Sequence, residues 1–287
     1  MINTEKSDAP ASAQGRILVL IDGSRLSYEA LEAAADIAGK RGAEILGVYV
    51  EELNLLRSAG YGFSREVGTA SGISRPLDPG ILQQRMQRLA NQARVALARA
   101  VKQHGGNAEL SIARGRVVEE VLALAGPDDL LVLGRAGWSS PAGARLGSTA
   151  RRLVRQSPGR VLLWCEKTLP HQNRVVVFLN DHDEANHRAA LAAAEISRHH
   201  HQPVTIILGA DVKPTDGRLD AIRQDLDVLG AGIRLRVMPD SNPLTVARVL
   251  REERASQLVV SRECALFNEP GAEQLLAALS LPVTVTP

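Results

Sequence analysis

The sequence predicts an α/β protein of two tandem five-stranded, mostly parallel sheets with helices on both faces, and three observations carry that prediction. Short aliphatic runs alternate with helical stretches along the chain. The pattern restarts halfway: RVVVFLND from Arg174 echoes RILVLIDG from Arg16, and ALAAAEIS from Ala190 echoes ALEAAADIA from Ala30. Aromatic residues make up only 3% of the chain, so its cores must be built from Val, Leu, Ile and Ala, which suits sheets covered by Ala-rich helices.

The run RILVLID from Arg16 is short and aliphatic enough for a strand buried on both faces, and Asp22 closes it. Gly23-Ser24 leads into a helix with Leu26, Ala30, Ala33, Ala34 and Ile37 at helical spacing, stopped by Gly39 and Gly42. A strand from Glu44 to Val50 completes a βαβ unit, whose ligands sit at strand C-termini. The stretch from Leu53 to Gly80 is rich in Gly and Ser and contains Tyr61 and Phe63; it reads as a long loop, either a flap over the strand edge or a linker. From Ile81 to Gln103 the residues Leu82, Met86, Leu89, Ala93, Leu97 and Val101 mark an amphipathic helix, with Met86 as core filler.

Strands at Glu109 to Ala113, Leu130 to Leu133 and Val161 to Trp164 then alternate with helices at Val117 to Leu124 and Gly147 to Gln156. In the second half the strands are RVVVFLND, VTIILGA, IRLRVM, QLVVS and VTVT, with further helices expected around Leu219 to Leu229, Pro243 to Glu253 and Ala272 to Leu279. The implied division is a loose tail over 1–15, one domain over 16–168 and a second over 172–287. The fifth strands, Val161 to Trp164 and Val283 to Thr286, are expected to meet across a pseudo-two-fold and bury otherwise open edges.

The bulk properties exclude several classes. With 34 basic and 32 acidic residues the net charge is +2, which argues for neither a nucleic acid nor a membrane partner. Cys165 and Cys264 lie outside any C-x-x-C pattern and are expected to be reduced, buried thiols. The first residues carry no apolar signal region and no run is long enough to span a bilayer, which points to a cytoplasmic protein.

The chemistry concentrates in LVLGRAGWSSPAGARLGST, Leu131 to Thr149. Gly134, Gly137, Gly147 and Ser148 stand there in the spacing Gly-x2-Gly-x9-Gly-Ser, between a strand and a helix start. A strand ending in glycine lets a backbone approach a ligand, and a Gly-Ser-Thr helix start offers N–H groups and hydroxyls to an anion, so the turn suits a phosphate chain. Six arginines and no acid lie between Arg135 and Arg160, which adds a local positive field. Arg151, Arg152 and Arg155 also read as a solvated face opposite Ala150, Leu153 and Val154. In the second half Ser261 replaces Gly134 and Ala272 replaces Ser148. Gly147 and Gly271 each lie eleven residues before a proline, Pro158 and Pro282, which registers the two final helices and strands without a gap. That half should keep the fold and lose the phosphate site.

The strand-end acid, the five-strand α/β pattern and the glycine spacing resemble the universal stress protein family in its tandem two-domain form, with an adenine nucleotide alpha hydrolase-like fold. The resemblance implies ATP as ligand, with or without magnesium on its phosphates, and a stress-response or regulatory role. It implies that Asp22 and Val48 line the adenosine end, and that Gly134, Gly137, Gly147, Ser148 and Thr149 hold ribose and phosphates; Leu133 beside Gly134, and Arg135 and Arg145 inside the positively charged loop, complete the candidate site. Hydrolysis would be slow at most, because one carboxylate, Asp22, is thin equipment for phosphoryl transfer. Two other readings stay open: a protein-interaction module whose motif is vestigial, and an AMP or ADP sensor without turnover. A homodimer and a regulatory protein are the partners considered beyond the adenine nucleotide.

Other sites fall away. The single Gly-Lys pair, Gly39-Lys40, is followed by Arg41, so no Walker loop exists, and Asp22-Gly23-Ser24 lacks the double glycine of a pyrophosphatase loop. His199, His200 and His201 point about 100° apart on a helix and read as a fraying end. His182, Asp183 and His187 read as helix-start capping rather than a metal corner. Spacing supports no Ser-His-Asp or Cys-His arrangement.

Overall fold

The computed structural model describes residues 15–68, 71–136, 146–165, 173–179, 183–209, 232–238, 242–264 and 279–287, with positions 220, 222, 224 and 240 besides. The first half opens with β1 (Ile17–Leu20), α1 (Arg25–Arg41) and β2 (Ile45–Glu52). Ser24 caps α1 by accepting from the N–H of Ser27, and Gly42 ends it in the left-handed region that glycine tolerates. Then come α2 (Leu53–Ala59), a hairpin of β3 (Arg65–Val67) and β4 (Ser74–Pro76), α3 (Pro79–His104), β5 (Ala108–Gly115) and α4 (Val117–Leu124). The half closes with β6 (Leu130–Gly134), α5 (Ser148–Gln156) and β7 (Arg160–Trp164).

The second half contains β8 (Arg174–Leu179), α6 (Asp183–His200), β9 (Val204–Leu208), β10 (Ile233–Val237), α7 (Pro243–Glu252), β11 (Ala255–Ser261) and β12 (Val283–Thr286). The expected helices at Leu219 to Leu229 and Ala272 to Leu279 fall largely outside the described residues.

Ten strands, five from each half, form a single sheet in the order β10-β9-β8-β11-β12-β7-β6-β1-β2-β5, and β3 with β4 forms a separate two-stranded sheet. The join is the antiparallel pair β7–β12, with Leu162 opposite Thr284 and the pairs Val161–Val285 and Leu163–Val283 on either side. The anticipated meeting of the fifth strands is thus a backbone ladder, and it converts two open edges into the middle of a sheet. The symmetry of that ladder makes Val161 equivalent to Val283. Val161 lies three residues after Pro158 and Val283 one after Pro282, so the gapless registration read from the sequence is wrong by two residues.

One face of the sheet carries a core that crosses the join, including Leu18, Val48, Leu133, Leu163, Val283 and Val260. On the opposite face the two halves have separate clusters, one around Ala30, Ala34 and Leu97, the other around Ala189, Ala193 and Ile206. Alanines line both helix faces, as the low aromatic content requires.

The stretch read as a loop is a correction. Leu55 and Leu56 of α2 pack with Ala59 against Leu82 and Met86 of α3, so apolar burial makes a helix where Gly and Ser content suggested none. Glu66 ties the hairpin down by pairing with Arg85 of α3 at 2.8 Å and with Arg75 at 2.6 Å.

A charged cluster spans the halves at the N-terminal end of β7. Glu195 of α6 accepts from Arg41 of α1 at 2.8 Å and from Arg160 of β7 at 2.5 Å. Burial opposes ionisation of Glu195, but attraction to Arg160 and Arg41 outweighs it and holds its pKa below the ordinary 4.5. Burial, then the charge of Arg41, holds His199 below the ordinary 6.5. For His199 the unfolded chain binds the proton more readily, so stability is lost as pH falls from about 6.5 toward its folded value; Glu195 adds a loss as pH falls through its own lowered pKa. We expect the melting temperature to fall in two stages on acidification, and His199→Gln to flatten the upper one in a pH series of thermal melts. An unchanged upper stage would assign it to other groups.

Candidate nucleotide site

In the first half the strand order reverses between β1 and β6: the chain moves outward from β1 through β2 to β5, then returns to the other side of β1 with β6 and β7. In parallel α/β sheets a crevice opens at the C-terminal ends of the two strands that flank such a reversal. The C-terminal ends of β1 and β6 carry Asp22 and Gly134.

Asp22 stands two residues beyond β1, and its Oδ1 accepts from the N–H of Ser24 at 2.9 Å, which shapes the turn into α1. Two tyrosines border it. Burial raises the Tyr28 hydroxyl pKa and Asp22 adds to that; Tyr49 is pushed up to about 12 by burial, then by Glu51, Tyr28 and Asp22. The Tyr28 hydroxyl is buried and has no hydrogen-bond partner among the described residues. A tyrosine on the first turn of a helix gave no signal in the sequence, since its neighbourhood depends on how α1 lies on the sheet.

Gly134 ends β6 opposite Trp164. A Cβ there would come within 3.1 Å of the Leu26 Cβ and 3.3 Å of its backbone carbon, so the missing side chain first of all admits the opening turn of α1. Packing therefore explains part of what the spacing alone attributes to a ligand.

Arg135 is fully engaged at its backbone. Its N–H donates to the Trp164 carbonyl at 2.9 Å, and its carbonyl accepts from Gly147 at 3.0 Å, which brings the two ends of the glycine-rich segment together. Its guanidinium donates through Nη1 to the carbonyl of Leu279 in the second half at 2.7 Å. Gly147 is the N-cap of α5 and supplies no side-chain cap; the first turn holds no acid. Ser148 is exposed and Thr149 partly buried, and the first turn they open carries the unpaired N–H groups of a helix start with no acid among its own residues. Ala150, Leu153 and Val154 bury the other face of α5, while Arg152 and Arg155 are exposed.

Leu133 and Val48 stand within the strands β6 and β2. Both side chains lie in the core, at 2% and 0% exposure, and the Val48 carbonyl accepts from Ile21 at 2.9 Å. Since β2 runs on to Glu52, Val48 is four residues short of the strand end; Val50 is the residue of the same face closer to the rim. Gly137 and Arg145 lie outside the described residues, as do His182 and Gly271.

Two other carboxylates reach this edge of the sheet, and both are occupied. Glu51 accepts from Arg114 Nη2 at 2.6 Å, and Glu52 caps α2 by accepting from Asn54 at 3.3 Å. Cys165 and Cys264 are both buried. Among the described residues no group of His, Cys, Asp and Glu is arranged to hold a metal ion, and no helix is long and apolar enough to cross a membrane.

Residues 14–164 match the model of the universal stress protein family, which is more than half of the chain. The chain belongs to that family. Its fold is similar to that of a universal stress protein from Archaeoglobus fulgidus DSM 4304, at 18% identity and a TM-score of 0.71 over 94% of this chain and 95% of the other. It is similar also to a universal stress protein structure from Pseudomonas aeruginosa UCBPP-PA14, at 17% identity and a TM-score of 0.61 over 96% of this chain and 93% of the other. A protein of unknown function from Pseudomonas aeruginosa PAO1 gives 18% identity and a TM-score of 0.60 over 96% and 92%. At these identities the likeness concerns the fold. No curated protein sequence matches the chain at a significant level. In this member of the family, Asp22 follows β1, Gly134 and Arg135 stand at the end of β6, and Gly147, Ser148 and Thr149 open α5.

Proposed function

We propose that the chain is a tandem two-domain universal stress protein that binds a single adenine nucleotide, ATP, in a domain over 16–168, while the domain over 172–287 keeps the fold without the site. The observation that carries this reading is the start of α5. A helix N-terminus whose N-cap, Gly147, gives no side-chain cap and whose first turn holds no acid, with an exposed serine, stands after β6, one of the two strands at which the sheet order reverses, and such an end favours phosphate. Ser261 at the end of β11, 1% exposed, supports the loss of the second site, because a side chain there replaces the glycine. Asp22 is the strand-edge carboxylate that a magnesium ion on the phosphates would meet. Turnover is slow in this reading, since Glu51 and Glu52 are already committed to structural partners.

Binding would act as a stability term. ATP at a hundredfold excess over its Kd should stabilise the protein by about 2.7 kcal/mol, visible as a raised melting temperature. ADP and AMP run in parallel separate an ATP binder from a sensor of the lower phosphates. If none of the three moves the melting point, the protein-interaction reading replaces this one. That rival has one observation in its favour: the Arg135 guanidinium is directed at Leu279.

A further inference from the structure

Two arginines cross the β7–β12 join in opposite directions. Arg135 follows the last residue of β6, and Arg262 follows the last residue of β11. The N–H of each extends a parallel ladder at 2.9 Å, Arg135 to Trp164 and Arg262 to Thr286. Each side chain then enters the other half: Arg135 Nη1 donates to Leu279 at 2.7 Å, and Arg262 Nη1 donates to Ser157 at 2.9 Å and Arg155 at 3.1 Å. Ser157 and Leu279 are equivalent positions, each four residues ahead of the equivalent valines Val161 and Val283. One contact is therefore repeated by the pseudo-two-fold.

Its consequences fall on one helix. Arg155 and Ser157 supply carbonyls at the C-terminal end of α5, which the helix cannot satisfy internally. Arg135, tied by its side chain to Leu279, presents its own carbonyl to Gly147, the N-cap of α5. A nine-residue helix is too short to stand by its own propensity, so its position is set by what holds its ends.

We propose that the second half serves as the frame that positions the N-terminus of α5, with Arg262 and Arg135 as positioning residues for the nucleotide. This rests on the reading of that N-terminus as the phosphate end. Arg262 is no ligand, because nine residues at 1.5 Å rise leave roughly 13 Å between the ends of the helix.

The test uses Arg262→Met in the full chain. ATP affinity should fall about three- to tenfold, with no change in its dependence on salt, since no phosphate contact is removed. Arg262→Lys, which keeps a donor, should recover most of the affinity. Arg135→Met should behave like Arg262→Met; a weakened salt dependence there would make Arg135 a direct phosphate ligand and overturn its part. A second readout needs no ligand. Hydrogen exchange in Arg262→Met should rise at the Arg151 amide, bonded to Gly147 at 3.0 Å in the first turn, as well as in the last turn. Exchange confined to the last turn, or an unchanged affinity beside a lowered melting point, would reduce Arg262 to a helix cap and end the proposal. If the wild-type chain binds no nucleotide, the nucleotide reading fails, and the exchange result alone decides whether the second half frames α5.

Discussion

Gly159→Ala should destabilise the fold by about 3 kcal/mol, and by more if the neighbouring turn is rigid. A Cβ at this position would stand 2.4 Å from the Asp129 carbonyl oxygen, 2.7 Å from that of Gly126 and 3.1 Å from that of Pro127. All three are backbone atoms, so no side chain can swing aside. The turn they belong to is pinned by the Asp129 carboxylate, which is 6% exposed and accepts from the N–H groups of Arg16 and Gly126, each at 2.8 Å. Yielding would pull on β1 through Arg16 and on β6 through Leu130 together. Denaturant titration of the variant measures the effect directly, and a loss below about 1 kcal/mol would mean that the turn moves at little cost.

Ser148→Asp separates a phosphate site from a solvated helix end by the sign of two effects. An acid in the first turn, where α5 has none, should stabilise the ligand-free protein by about 0.3–1 kcal/mol through the helix dipole. The same charge would repel a phosphate at the same N–H groups and weaken ATP binding by roughly ten- to a hundredfold, about 1.4–2.8 kcal/mol. Calorimetry of binding beside thermal melts of the free protein reads both. If the variant binds ATP as the parent does, the phosphates are not at α5. If it loses binding and stability alike, Ser148 is needed by the fold.

Much of this was legible because the signals are local. Helix α4 has the bounds its apolar spacing predicts, and α5 starts after Gly147 as the glycine-serine pair suggests. The alternation of strand and helix placed the described strands of the main sheet within a few residues. What failed depends on distant partners. Helix α2 exists because Leu55 and Leu56 meet Met86, some thirty residues on, and nothing in a Gly- and Ser-rich stretch announces that meeting. The end of β2, which the apolar run put at Val50, lies at Glu52 because the pairing with β5 continues that far. The direction of Arg135 could not be read at all, since its acceptor lies 144 positions away.

The place of β12 has a consequence for biosynthesis. Val283–Thr286 leaves the ribosome after the other described strands, yet it lies between β11 and β7, in the middle of the sheet. Until those four residues emerge, the nascent chain displays β7 as a bare apolar edge, with Val161, Leu162 and Leu163 ready to accept any strand of suitable register. Two chains at that stage on one polysome present each other with that same edge. Dimers formed by exchange during synthesis, rather than by association of finished molecules, are the failure this topology invites.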